Sequence, residues 1–113
     1  MKTAQVVLPD GFSFLTEVPE TPQERMDGLR NRPNAGNGML FVFEHSPSIT
    51  MLGMKFPLDI VAIDQHNMVT GVYERAPVIL SRIDAQGQYI LELPAGSIQS
   101  HGISPGSKIG IAS

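Results

Sequence analysis

Turn-forming residues interrupt this chain at intervals of about ten positions, and that spacing excludes any architecture built on long helices. The 113 residues include 11 Gly and 9 Pro, gathered in signals such as Pro9-Asp10-Gly11, Asp64-Gln65-His66-Asn67 and Ser104-Pro105-Gly106-Ser107. Each supplies a backbone geometry that a tight turn needs. The segments between them are short and either apolar or alternating. Residues 4–8 and 12–18 read as a hairpin; in its second strand Phe12, Phe14, Thr16 and Val18 share one face, and Ser13, Leu15 and Glu17 the other. The runs at 39–43 and 58–63 are apolar on both faces, which predicts central strands covered on two sides. Further strands are expected at 49–54 (bent at Gly53), 68–74, 89–93 and 108–111, with 75–88 as an irregular connection and a single helical turn near 95–101.

One window carries a helix signal. Thr21 fits an N-cap, Pro22 the first helical position, and Glu24 completes a Thr-x-x-Glu capping box. Pro33 stops the pattern, so the helix is expected over about 22–31, with Arg25, Leu29 and Arg32 along one stripe. Gly28 then lies inside it, at a cost of about 1 kcal/mol relative to Ala, explained by a close backbone approach or by a frayed end. The prediction is a mostly β protein: a compact single domain over 1–113, an antiparallel β-barrel or sandwich with one short packed α-helix.

Composition narrows the function. The chain has no Cys, which removes disulfides, thiolate metal sites and thiol nucleophiles together. A net charge of −3 argues against a nucleic-acid partner, which needs a clustered positive field. No apolar run approaches the length of a membrane span or of a signal-peptide core, so no membrane partner and no export signal are expected, and the location expected is cytoplasmic or virion.

The residues that could carry chemistry are few. Asp59 opens a run of Ile, Val and Ala, and Glu92 sits between Leu91 and Leu93. A carboxylate in such surroundings must be hydrogen-bonded or paired. Arg25 and Arg32 on the helix stripe are the expected mates, with Lys55 nearby in sequence. The four residues Arg25, Arg32, Asp59 and Glu92 form either structural ion pairs that dock the helix or a small charged pocket for an anion or sugar. His45, His66 and His101 are too widely spaced for a zinc site, and 64–69 lacks the Gly and Glu of a calcium loop, so neither a metal nor another cofactor is expected. There is no phosphate-binding glycine fingerprint and no Gly-x-Ser-x-Gly elbow.

Taken in order, several segments resemble the domain-of-unknown-function family 192. They are Thr21-Pro22-Gln23-Glu24-Arg25-Met26-Asp27-Gly28-Leu29 with Arg32; Gly38-Met39-Leu40-Phe41-Val42-Phe43; Met51; Phe56-Pro57-Leu58-Asp59-Ile60-Val61-Ala62-Ile63-Asp64; and Leu91-Glu92-Leu93-Pro94-Ala95-Gly96 with Gly102-Ile103 and Pro105-Gly106. The resemblance runs over about 14–106 and implies a compact β-barrel or sandwich with a packed helix; it supplies no catalytic residue. Where the family pattern has Trp-Met-Lys-Asn-Thr, this chain has Thr50-Met51-Leu52-Gly53-Met54, which alters any groove that the Trp and Asn line in relatives.

Two classes of function follow as expectations. The first is a non-enzymatic structural or interaction domain that self-associates or joins a larger protein assembly, such as a phage capsid decoration. The alternative is a small-ligand domain, binding an anion or sugar with or without turnover, whose pocket lies near Arg25, Asp59 and Glu92.

Overall fold

The computed structural model describes all residues, Met1–Ser113. Its nine strands are β1 (Lys2–Val7), β2 (Ser13–Val18), β3 (Met39–Val42), β4 (Ser48–Ile49), β5 (Leu58–Ile63), β6 (Val69–Ala76), β7 (Ile83–Asp84), β8 (Tyr89–Pro94) and β9 (Gly110–Ala112). Two short helices, α1 (Pro22–Asp27) and α2 (Ser97–Ser100), interrupt them. Seven strands form one curled sheet in the order β6-β5-β8-β3-β2-β1-β9, and β4 and β7 pair separately. The mostly β domain expected from the turn spacing is therefore what forms. No helix is long and apolar enough to cross a membrane.

Pairing in the large sheet is antiparallel except between β2 and β3, which meet in parallel at Glu17 and Met39. Parallel neighbours need a crossover. The segment between them supplies it and carries α1, so the helix lies where the connection must return across the sheet. The two edges of the sheet approach each other: Met68 bridges Lys108, Val69 N–H donates to the Ser107 carbonyl at 2.8 Å, and Ile109 N–H to that of Asn67 at 2.9 Å.

Curling gives the central strands two buried faces. All six residues of β5 are buried. Leu58, Ile60, Ala62, Ile90, Met39 and Phe41 pack on one side with Leu29, Met51, Met54 and Ile83. On the other side Val61, Ile63, Leu91, Leu93 and Leu40 meet Val6, Ile98, Ile103 and Ile109. The β5–β6 turn is as expected: Asp64 Oδ1 accepts from the N–H groups of His66 and Met68, and Asn67 adopts φ +65°.

The capping box is complete, with Thr21 Oγ1 accepting from Glu24 N–H at 3.1 Å and Glu24 Oε1 accepting from Thr21 N–H at 3.1 Å. These backbone donors at Glu20 and Thr21 hold the Glu24 carboxyl below its ordinary value. The helix is shorter than expected, however. Gly28 is its terminator and not an interior residue: it adopts φ +50° and its N–H closes the last turn on the Glu24 carbonyl. Beyond it the chain runs through turns, so Arg25, Leu29 and Arg32 do not share a helical stripe. The strand expected at 49–54 is likewise only Ser48–Ile49, followed by a turn at Leu52 and Gly53.

Candidate functional site

The two acidic residues singled out by their apolar neighbours lie on opposite faces of the sheet. In the β5–β8 register Asp59 is level with Leu93, and Ile60 with Glu92. Asp59 therefore points toward the core that holds Leu93, and Glu92 toward the one that holds Ile60.

Asp59 is completely buried. Its Oδ1 accepts from Arg75 N–H at 2.8 Å, and its Oδ2 from Gly96 N–H at 3.0 Å and Ile98 N–H at 2.8 Å. Arg75 lies at a break in the β5–β6 register, with φ +50°, and Gly96 and Ile98 begin α2. One carboxylate thus fastens an irregular strand and a helix start through backbone donors. The expected clasp between Asp59 and a guanidinium does not form, because these three N–H groups already satisfy the charge.

Arg32 is also placed apart. Its Nη2 lies 2.6 Å from Glu17 Oε2, an ion pair rather than an aligned hydrogen bond. This pair lines a separate polar cavity between β2 and residues 33–38. Lys55 is exposed and enters no ion pair.

Arg25 and Glu92 do come together. They line a crevice of about 490 Å³ bounded by α1 and the following turn (Met26, Asp27, Arg30), β3 and its end (Phe41, Phe43), and the β4 segment (Ser48, Ile49, Thr50). That volume lies in the range of small-molecule sites. Glu92 is 6% exposed, and its carboxyl enters no ion pair. Burial pushes it from an ordinary 4.5 up to about 7, against the opposing pull of the Arg30 charge. Arg25, exposed at the end of α1, pairs with no acid.

Arg30 was not among the residues that the sequence pattern points to. Its Nε donates to the Leu52 carbonyl at 2.9 Å, Nη1 to that of Met26 at 2.8 Å and Nη2 to that of Thr50 at 3.0 Å. The guanidinium is held rigidly in the crevice wall and enters no ion pair. Its signal was Gly28, whose helix-stopping role frees the next residues to fold back. Thr50, which stands where the resembled pattern has Trp, also lines the crevice, so the altered position does border a groove.

No three His, Asp or Glu side chains converge on a point that could hold a metal ion. His45 and His66 lie in loops, and His101 Nδ1 is 2.8 Å from Asp10 Oδ2.

The family model for DUF192, Uncharacterized ACR, matches residues 6–111. The chain belongs to this family. Two solved structures share the DUF192 chain's fold. A protein from Sinorhizobium meliloti 1021, described as "a putative transcription regulator", is 27% identical with a TM-score of 0.78 over 96% of this chain and 92% of its own. A protein of unknown function from Novosphingobium aromaticivorans DSM 12444 is 22% identical with a TM-score of 0.78 over 96% of this chain and 83% of its own. No curated protein matches.

Proposed function

We propose that this DUF192 domain binds a small molecule in the crevice between α1, β3 and β4. The observation that carries the reading is Glu92: an almost wholly buried residue that lines that space and whose carboxyl enters no ion pair. Structural carboxylates are normally paired or hydrogen-bonded, as Asp59 is. A group left with open valences in a cleft beside two arginines is arranged for something that enters from outside. A carboxyl titrating near neutrality also has the acidity a general acid or base requires.

The description of the Sinorhizobium meliloti protein as a regulator fits a ligand sensor better than a DNA reader. This chain has net charge −3, and Lys2, Arg32 and Arg82 each face an acid. The self-associating reading, with a capsid decoration as its example, is the competing proposal; it asks nothing of an open crevice.

A thermal-shift screen of small acids, amides and sugars tests the ligand reading. A true ligand at a hundred times its dissociation constant adds about 2.7 kcal/mol of stability. Thr50→Trp, which fills the crevice from an exposed position, should abolish that gain and leave the fold intact. If every stabilising compound acts equally on the Thr50→Trp protein, the crevice is not the site.

A further inference from the structure

We propose that the Glu92 crevice takes a small planar organic anion, met by Arg25 and Arg30 and lying along Phe41 and Phe43, and that it binds with a proton on Glu92. This rests on the crevice being the ligand site and names the class of ligand. Charge is the first argument. The lining holds two guanidinium groups, Asp27 and Glu92, and Asp27 already accepts from Gln23 Nε2 at 2.9 Å. The balance is one net positive charge while Glu92 keeps its proton and none after it ionises. Arg25 has its donors free, and Arg30 offers more N–H groups than the three engaged on carbonyls. Because those carbonyls hold it in place, Arg30 meets an anion with little loss of side-chain freedom.

Shape is the second. Phe41 and Phe43 alternate along one face, with ring planes only 6° apart and centroids 6.2 Å apart. With Ile49 and Met26 they give the crevice an apolar side, and a planar group laid parallel to those rings buries more surface there than a compact one.

The proton is the third. An ionised Glu92 would repel an anion in the same small space, whereas a protonated one donates a short hydrogen bond to it. The groups facing Glu92 are Arg25, Asp27 and Arg30 from α1 and the turn after it, and the uncharged Ser48 and Thr50 from the β4 side. Behind these, Asp84 is engaged with Ser48 at 2.7 Å and Arg82 at 2.8 Å. Met39 and Ile60 flank Glu92 within the sheet. Binding above the Glu92 midpoint therefore draws one proton from solution.

The test uses the full chain labelled with ¹⁵N and three probes: benzoate, the neutral benzamide and the cationic benzylamine. Benzoate should shift the amide signals of Arg25, Arg30, Phe41 and Phe43. Its dissociation constant should stay level from about pH 5.5 to pH 7 and then rise about tenfold per pH unit. Glu92→Gln should remove that pH dependence, and Arg25→Ala should weaken benzoate about tenfold throughout. Benzoate binding that ignores pH in the unaltered protein overturns the proposal. Preference for benzamide or benzylamine at the same amides overturns it too, but leaves the crevice as a ligand site. If none of the three disturbs those amides, the proposal is overturned, and the thermal-shift screen decides separately whether the crevice binds a ligand of another class.

Discussion

At the scale of single residues, two buried carboxylates in similar apolar settings reach opposite ends. Asp59 is saturated by backbone donors from Arg75, Gly96 and Ile98, and its task ends there. Asp59→Ala strands those N–H groups in the core and should cost about 3–5 kcal/mol in urea unfolding. Glu92 behaves in the reverse sense. Its folded pKa of about 7 lies above the ordinary 4.5, so between these values the unfolded chain has released a proton that the native state retains. Stability is therefore full below about pH 4.5, declines as pH rises to about 7 and then levels off, a loss of about 3 kcal/mol. Glu92→Gln should flatten that decline and be the more stable protein at alkaline pH. Unfolding curves taken on both sides of neutrality check this; a slope of the opposite sign would contradict it.

At the scale of elements, the crevice depends on where α1 stops. Gly28, at φ +50° and ψ −124°, has a backbone that side-chain-bearing residues avoid, and a Cβ there would sit 3.4 Å from Phe41 Cζ. Gly28→Ala should cost about 1–3 kcal/mol and move both Arg30 and Phe41, which calorimetry and the amide spectrum would report together. A stable protein with unmoved Phe41 signals would contradict the tightness ascribed to this turn. The same glycine shows what the sequence can disclose. Alternation, apolar runs and turn residues reveal the strands, because burial on one face leaves an alternating pattern at β2 and burial on two leaves a nearly unbroken apolar run at β3 and β5. A capping box reveals the start of α1. The end is ambiguous, since Gly reads as a tolerated interior residue or as a stop, and Arg30 becomes visible only on the second reading. The placing of Arg25 and Glu92 in one crevice, and the exclusion of Asp59 from it, depend on the register of β5 against β8. One residue of slip would exchange the faces, and nothing local fixes it.

At the scale of the whole molecule, the first and last strands are neighbours, with Val6 beside Ile111, and the sheet is drawn round until Met68 reaches Lys108. Closure joins segments far apart in sequence, which predicts slow, cooperative folding that waits for nearly the whole chain. Truncation after Ile109 leaves β1 as an open edge and should remove about 2 kcal/mol or more, read as a lower urea midpoint. The crevice lies on the opposite face, against the core built from Ile60 and Ile90, and needs no residue of β9. Ligand binding should therefore persist in the truncated chain wherever it remains folded. The account as a whole turns on one carboxyl being dry, unpaired and open to an incoming group. The ¹³C chemical shift of the Glu92 carboxyl, followed across pH in the unliganded protein, measures this directly. A midpoint near 7 is the expected result. A midpoint at the ordinary 4.5 or below would mean that water or a cation already satisfies Glu92, and the crevice would have no unfilled chemistry to offer.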